Sequence, residues 1–390
     1  MNVLAFAAVL TLAAPQDPGA ETGELVETLD VPDEMTAEQA RTALSRSLKW
    51  IVEAQKPAGT WGSFVPTDVW ELGFAGETYY DWNLASNFLA CLALLECEET
   101  PARWAALEKG LRASCEKRLP VRGANWDNDA MWAALYAVVT LTRAAQDPRL
   151  QEVEWQELLH RRGRDYLGLL VDNQVPDGGW GYYDDPVFSA RPKWATSFST
   201  ACVVPALAQA RDLGWLETPR VLERATRYVD RCRLPSGAYE YDLNPIPRVR
   251  GGEHINEIPG SLGRIQVCNW ALSSVGVERI TVDYIREGLE HLFREHRYLD
   301  AARLRPIPHE AYFANAGYFY FFGHYYAAQA INLLPAEERE EWHAKLRPHV
   351  AKTQRADGST SDFNASSYMI TASTAFAALT LSLGLEEPGS

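Results

Sequence analysis

Two kinds of apolar pattern alternate along the chain. In the first, apolar residues recur three and four positions apart with charged residues between them: Leu44, Leu48 and Ile51; Val221, Ala225, Tyr228, Val229 and Cys232; Trp342, Leu346 and Val350. That spacing gathers the apolar side chains on one stripe of a helix and leaves the rest to water. In the second, nearly every position is apolar or small, as in 84–95, 130–141, 196–210 and 368–383. A helix that is apolar all round has to be enclosed. One-faced and enclosed helices in alternation are what two concentric rings require, the outer helices meeting water and the inner ones packed between the outer ring and the axis. An open superhelical stack needs polar capping repeats at its ends. The last run, 368–383, is among the most apolar, so the pattern predicts closure.

A repeat runs through the same segments. Gln55-Lys56-Pro57-Ala58-Gly59-Thr60-Trp61 follows the Gln-x3-Gly-x-Trp pattern, and Gln174, Gly178 and Trp180 repeat it. Arg233, Gly237 and Tyr239 form a weaker copy, and Gln354 with Gly358 forms another without the aromatic. Their separations fit a period of about 60 residues, with degenerate copies due near Glu116 and His296, where helix-like segments end. The prediction is an all-α fold, a closed (α/α)6 toroid of six helical hairpins over residues 39–385.

The Gln-x3-Gly-x-Trp motifs resemble the QW repeats of squalene-hopene and oxidosqualene cyclases, in the superfamily that also holds the protein prenyltransferases and the squalene oxidase repeat. The resemblance covers the six repeats and implies that Gln55, Trp61, Gln174 and Trp180 tie hairpin turns together rather than react. It also implies two kinds of chemistry. Cyclases carry an Asp-x-Asp-Asp acid motif at an inner-helix start; here Asp127-Asn128-Asp129 keeps two of the three and marks Asp127 and Asp129 as the candidate catalytic acids, with helix capping as the simpler role. Prenyltransferases hold zinc through Asp-x-Cys and a His; Cys268 and His324 occupy comparable places, but Gln266 stands where the Asp should be, so no metal and no cofactor is assigned.

Composition narrows the partners. The 390 residues are 47% hydrophobic with a formal net charge of -15, which argues against nucleic acid, whose binding footprint is basic. The run from Val3 to Leu12 followed by Ala13 and Ala14 reads as a signal peptide over residues 1–14, with a flexible segment over 15–38, and predicts export to the periplasm or beyond. Nothing later in the sequence reads as a membrane span. The six cysteines are scattered without metal-knuckle spacing and read as buried thiols.

Every inner-helix start carries aromatics beside acids or amides: Tyr79 to Asn83, with Asp81 and Trp82; Trp126 to Asp129; Tyr182, Tyr183, Asp184 and Asp185; Tyr239 to Asn244, with Tyr241; Glu310 to Asn315, with Tyr312; and Asp362 to Asn364. In a closed ring these starts meet at one end of the axis and predict an acidic, aromatic mouth, with Tyr318, His324 and Tyr325 deeper on the fifth inner helix. The insert from Asn244 to Leu262 reads as a loop over it. Such a cavity suits a small-molecule, lipid or glycan ligand. Three functions follow: isoprenoid chemistry of the cyclase kind; a carbohydrate-active lyase or hydrolase, using Asp184 and Asp185 with Glu253 or Glu310, to which Asp-Gly-Gly-Trp-Gly at Asp177 to Gly181 adds a resemblance to a pectate-lyase turn; and a binding module without catalysis.

Overall fold

A computed structural model describes residues 32–66, 74–124, 126–184, 192–243, 253–363 and 367–385. The expected signal segment, Asp185 and the insert's first part, 244–252, lie outside them. Among the described residues there are thirteen α-helices and no β-strand: α1 (Ala37–Ala54), α2 (Gly76–Leu95), α3 (Pro101–Glu116), α4 (Ala130–Gln146), α5 (Val153–Asp172), α6 (Ser197–Asp212), α7 (Arg220–Arg231), α8 (Ile258–Ser274), α9 (Val282–Arg294), α10 (Arg297–Ala302), α11 (Phe319–Ile331), α12 (Ala336–Ala351) and α13 (Ser367–Ser382). The molecule is an α/α toroid. Helices α2, α4, α6, α8, α11 and α13 pack each on the next, and α13 returns to α2. Outer helices α3, α5, α7, α9 and α12 each lie on the inner helix before them, and α1 takes that place on α13.

The two sequence patterns become the two rings. α1 buries only the stripe Ala40, Ala43, Leu44, Ser47, Leu48 and Ile51, whereas in α2 Gly76, Glu77 and Trp82 alone escape burial. No described helix is long and apolar enough to cross a membrane. All six cysteines are buried free thiols.

The repeated motif fastens one hairpin to the next. The Gln55 amide donates to Gly59 O at 3.0 Å within its own turn and to Ala106 O of α3 at 2.8 Å. Gln174 does the same with Gly178 O at 2.8 Å and Val221 O of α7 at 2.9 Å. The Trp61 and Trp180 indoles donate back to Ile51 O and Leu170 O at 2.7 and 2.8 Å. Gln354, at the end of α12, donates to Ala43 O of α1 at 2.8 Å, so the last turn docks on the first helix and closes the ring. At Gly178 the backbone has φ +105, and a Cβ would stand 2.6 Å from Arg224 O of the next outer helix, so only glycine fits.

Four details differ from the sequence expectation. α2 begins at Gly76, so Tyr79 to Asn83 form its first two turns rather than a loop. α8 begins at Ile258, with Pro259 in its first turn where a missing N–H costs nothing, and so occupies the end of the expected insert loop. α10 is an extra helix packed on α8 and α11. The chain is anchored before residue 39: Met35 is buried, and its N–H donates to Ala344 O at 2.9 Å.

Candidate active site at the mouth of the ring

The starts of α2 and α4 bring three carboxyl groups together. Asp81 lies in the second turn of α2, 1% exposed, with one carboxyl oxygen buried and unpartnered. Asp127 is buried just before α4; it accepts from the Thr78 hydroxyl and, at 3.0 Å, from the backbone N–H of Asp129. Asp129 occupies the N-cap of α4 yet makes no capping bond. It lies close to the Trp82 and Trp132 indoles, which oppose the rise of its carboxyl, so the capping role does not account for it.

Burial first, then the charge of Asp127, push the Asp81 carboxyl up to about 8 against the pull of Arg118. Burial and Asp127 likewise raise Asp129 well above the usual carboxylate range. Burial also raises Asp127, but the Asp129 N–H and Arg122 oppose it. Three acids in one desolvated place cannot all ionise. Asp127, with two hydrogen bonds and a cation, is best equipped to carry the negative charge; Asp81 and Asp129 keep their protons. Between them Asn128 is buried with neither side-chain atom in a hydrogen bond, and a buried amide so left calls for a partner.

The next hairpin completes this side. Asn128 N–H donates to Tyr182 O at 2.9 Å, and Asp184 N–H to Trp126 O at 2.7 Å. Trp126 stands 47% exposed above the acids. Tyr183 stacks on Trp194 at 3.9 Å, whose indole donates to Asp242 at 3.0 Å. Exposed aromatic faces therefore adjoin Asp127, Trp126 as its chain neighbour and Tyr183 through the bridge between their backbones, an arrangement suited to a planar or ring-shaped ligand.

The far side of the mouth is aromatic rather than acidic. The Tyr182 and Tyr241 hydroxyls are hydrogen-bonded, and the Tyr318 hydroxyl meets His309 Nε2 at 2.8 Å. Arg264 lies buried beneath Tyr241, 5.2 Å from its ring, and burial lowers its guanidinium to about 10. The loop before α11 holds Leu304, His309, Phe313 and Ala314 at positive φ, strain of the kind that clusters at working sites.

Below this level the axis is filled. Phe198 of α6 meets Phe319 and Phe322 of α11 at 5.1 and 5.8 Å, and Tyr136 of α4 meets Phe376 of α13 at 5.8 Å; these rings cross between helices that are not neighbours. The expected deep axial cavity is thus closed a short way in. A cavity of about 160 Å³ does open at the opposite end of the axis, lined by Tyr136, Trp270, Tyr325 and Tyr326 among others. It is smaller than pockets that enclose drug-sized ligands, roughly 300 Å³ and above.

Several expected residues are therefore placed elsewhere. Tyr325 lines the opposite cavity, because the mouth turn of α11 ends before it. His324 faces the outer ring, against His296 and His349. It has no part in a set with Cys268, whose thiol points to Ser197 O at 3.9 Å. Asp184 is at the mouth but occupied, accepting from Lys193 N–H at 2.8 Å and Arg122 at 3.4 Å. Glu310 and Tyr312 are exposed on the loop before α11, and Glu253 accepts from Phe313 N–H at 3.3 Å. Trp132, Trp194, Arg264 and His309 were not expected at the site. Arg264 alone carried a signal, as the one charge within an otherwise uncharged inner helix.

The sequence matches no family model and no curated protein. Its structure is similar to the GH76A α-1,6-mannanase from Salegentibacter sp. HEL1_6, with TM-score 0.56 and 12% identity over 89% of this chain and 99% of that one. It is also similar to a glycosyl hydrolase family 88 protein from Bacteroides vulgatus, with TM-score 0.51 and 13% identity over 89% and 99%. A third is the Lin0763 protein from Listeria innocua, with TM-score 0.54 and 15% identity over 89% and 97%. At such identities the likeness establishes the α/α toroid. The resemblance to cyclases and prenyltransferases is one of architecture.

Proposed function

We propose that the chain is a carbohydrate-active hydrolase that cuts a glycan laid across the mouth of the ring. The observation that carries this reading is the trio Asp81, Asp127 and Asp129 beside exposed aromatic side chains, two of its acids holding protons where ordinary carboxylates have lost them. Glycoside hydrolysis needs a carboxylic acid to protonate the leaving oxygen and a second carboxyl group across the scissile bond. Asp129 serves as the acid because it alone of the three is half-exposed. Asp127, which carries the negative charge, is the second group and acts as the carboxylate, and Asp81, protonated beside it, is a positioning residue. Trp126 and the Tyr183–Trp194 stack hold sugar rings by their faces, and the unpartnered Asn128 amide takes a hydroxyl. An inactivated variant of the Salegentibacter mannanase has been seen in complex with α-1,6-mannotriose, which places a glycan on this scaffold in that protein.

The filled axis speaks against the isoprenoid reading, which needs a deep apolar chamber. The net charge of -15 favours a neutral glycan over a polyanionic one. Export, proposed from the N-terminal sequence, would deliver the enzyme to extracellular polysaccharide.

The test is release of reducing ends from a panel of neutral glycans, α-1,6-mannan first, by the parent chain and by Asp129→Asn. The variant should lose about 10²- to 10⁴-fold in rate, the usual contribution of a general acid, with its circular dichroism unchanged. Asp127→Asn, which removes the carboxylate, should lose a comparable factor, whereas Asp81→Asn should keep more activity. Wild-type rates in Asp129→Asn would remove the proposed acid; ultraviolet absorbance from a new double bond would make the enzyme a lyase.

A further inference from the structure

We infer that His296, His324 and His349 form a divalent-metal site, zinc or a similar imidazole-binding ion, clamping the fifth hairpin to the sixth. One ring nitrogen from each lies within 4.8 Å of the others. The site sits between α10, α11 and α12, outside the axial mouth, and it requires α10, the helix the repeat pattern does not supply.

Hydrogen bonding assigns the tautomers. His324 Nδ1 lies 2.6 Å from Tyr320 O, a carbonyl that only accepts, so Nδ1 carries the proton and Nε2 a lone pair. His296 Nδ1 lies 2.9 Å from Asp300, whose carboxylate also accepts from Lys352 at 3.0 Å and from the Tyr320 hydroxyl at 3.3 Å. His296 Nε2 is therefore a lone pair as well. Yet the two Nε2 atoms face each other at 2.9 Å. Two lone pairs at that distance repel unless a cation lies between them, either a proton or a metal ion.

The third histidine selects the metal. A shared proton occupies two nitrogens, but here a third imidazole converges on them, its ring stacked on His296 at 3.6 Å and its Nδ1 buried with no hydrogen bond. Two nitrogens each bound to one zinc ion at ~2.05 Å in tetrahedral geometry stand about 3.3 Å apart, close to the observed His296–His324 separation. His296 also has the outer partner typical of a ligand, a carboxylate on its other ring nitrogen that fixes tautomer and orientation. Three neutral imidazoles suit zinc, nickel, cobalt or copper, not magnesium or calcium. Bound there, the ion would brace α10 and α11 on either side of the strained loop that leads into the mouth.

The experiment uses the full chain purified without a polyhistidine tag, loaded with zinc, dialysed, and measured by plasma mass spectrometry and thermal unfolding. One zinc per chain and a Tm that chelator lowers and zinc restores are expected. His324 is fully buried and its removal risks misfolding, so the ligand test is His349→Phe, which keeps the stacked ring. It should abolish the chelator-sensitive part of Tm, and Asp300→Asn should weaken zinc about 10- to 100-fold. The cobalt form should show the visible absorption of a low-symmetry nitrogen site. No retained metal, or retention equal in parent and His349→Phe, overturns the proposal. So does a Tm that ignores zinc and rises on acidification, which would assign the histidine pair a shared proton.

Discussion

The hairpin turns and the inner-helix starts lie at the same end of the ring and are built from the same repeat, yet they do opposite things. At the turns the solution repeats: Gln55, Gln174 and Gln354 each donate into their own turn and onto the next outer helix. Glycine at positive φ completes each, and the Gln amide and Trp indole N–H donors are occupied. At the inner-helix starts the positions are equivalent but the chemistry diverges. α2 and α4 present carboxyl groups, with unpartnered atoms on Asp81 and Asn128, whereas α8, α11 and the segments leading into α6 and α8 present hydroxyls, rings and Arg264. What recurs holds the ring together; what breaks the recurrence carries chemistry.

Trp180→Ala tests the first half most severely. The indole is fully buried and its N–H is used, so truncation should cost about 3–5 kcal/mol of unfolding free energy. Denaturant titration measures it. If the protein keeps its stability but loses glycan turnover, the turns are chemical and the distinction collapses. Gln354→Ala is milder. It frees the Ala43 carbonyl that closes the ring and should cost about 1–3 kcal/mol, the penalty of a buried group left without its partner. Because α1 and α12 are at opposite ends of the chain, the loss should appear in hydrogen exchange of α1 before that of α5. Uniform loosening of all turns would mean the closing contact is no different from the others.

The ring was legible because its causes are local and repeat. Stripe spacing separated outer from inner helices, and the Gln and Gly positions gave the period. The mouth was legible only in outline. Asp81, Asp127 and Asp129 stood out as acids beside aromatics, but no residue spacing says that Asp129 makes no capping bond, or that Asp184 is taken by Arg122 and a backbone N–H. His324 and Tyr325 were misplaced because in a helix apolar all round the sequence does not reveal which face turns to the axis. Contacts across the axis, such as Tyr136 with Phe376, join residues far apart in sequence and leave no periodic trace.

The smallest expected effect is the part of the pH dependence of stability that comes from the mouth. Asp81 is raised from 3.8 to about 8 and the buried Asp362 from 3.8 to about 7, in both cases chiefly by burial. In the unfolded chain both lose their protons near the ordinary value, while the folded chain holds them, so between those limits the folded state binds more protons. The share of the unfolding free energy that these two acids supply must then fall as pH rises from about 5 toward 8 and flatten above that, while histidines held below 6.5 by burial act in the opposite sense at the lower end of the range. The Asp81 share should amount to roughly 1–2 kcal/mol, given 1.36 kcal/mol per unit and the weakening that relaxation around a buried acid brings. Asp81→Asn removes the ionisation, so its stability should decline less over that range and exceed the parent's at alkaline pH. Trp180→Ala should lower stability at every pH and leave the slope untouched. Equal slopes in the parent and Asp81→Asn would show that Asp81 ionises as an ordinary carboxylate, and the acid side of the mouth would lose the feature that separates it from the turns.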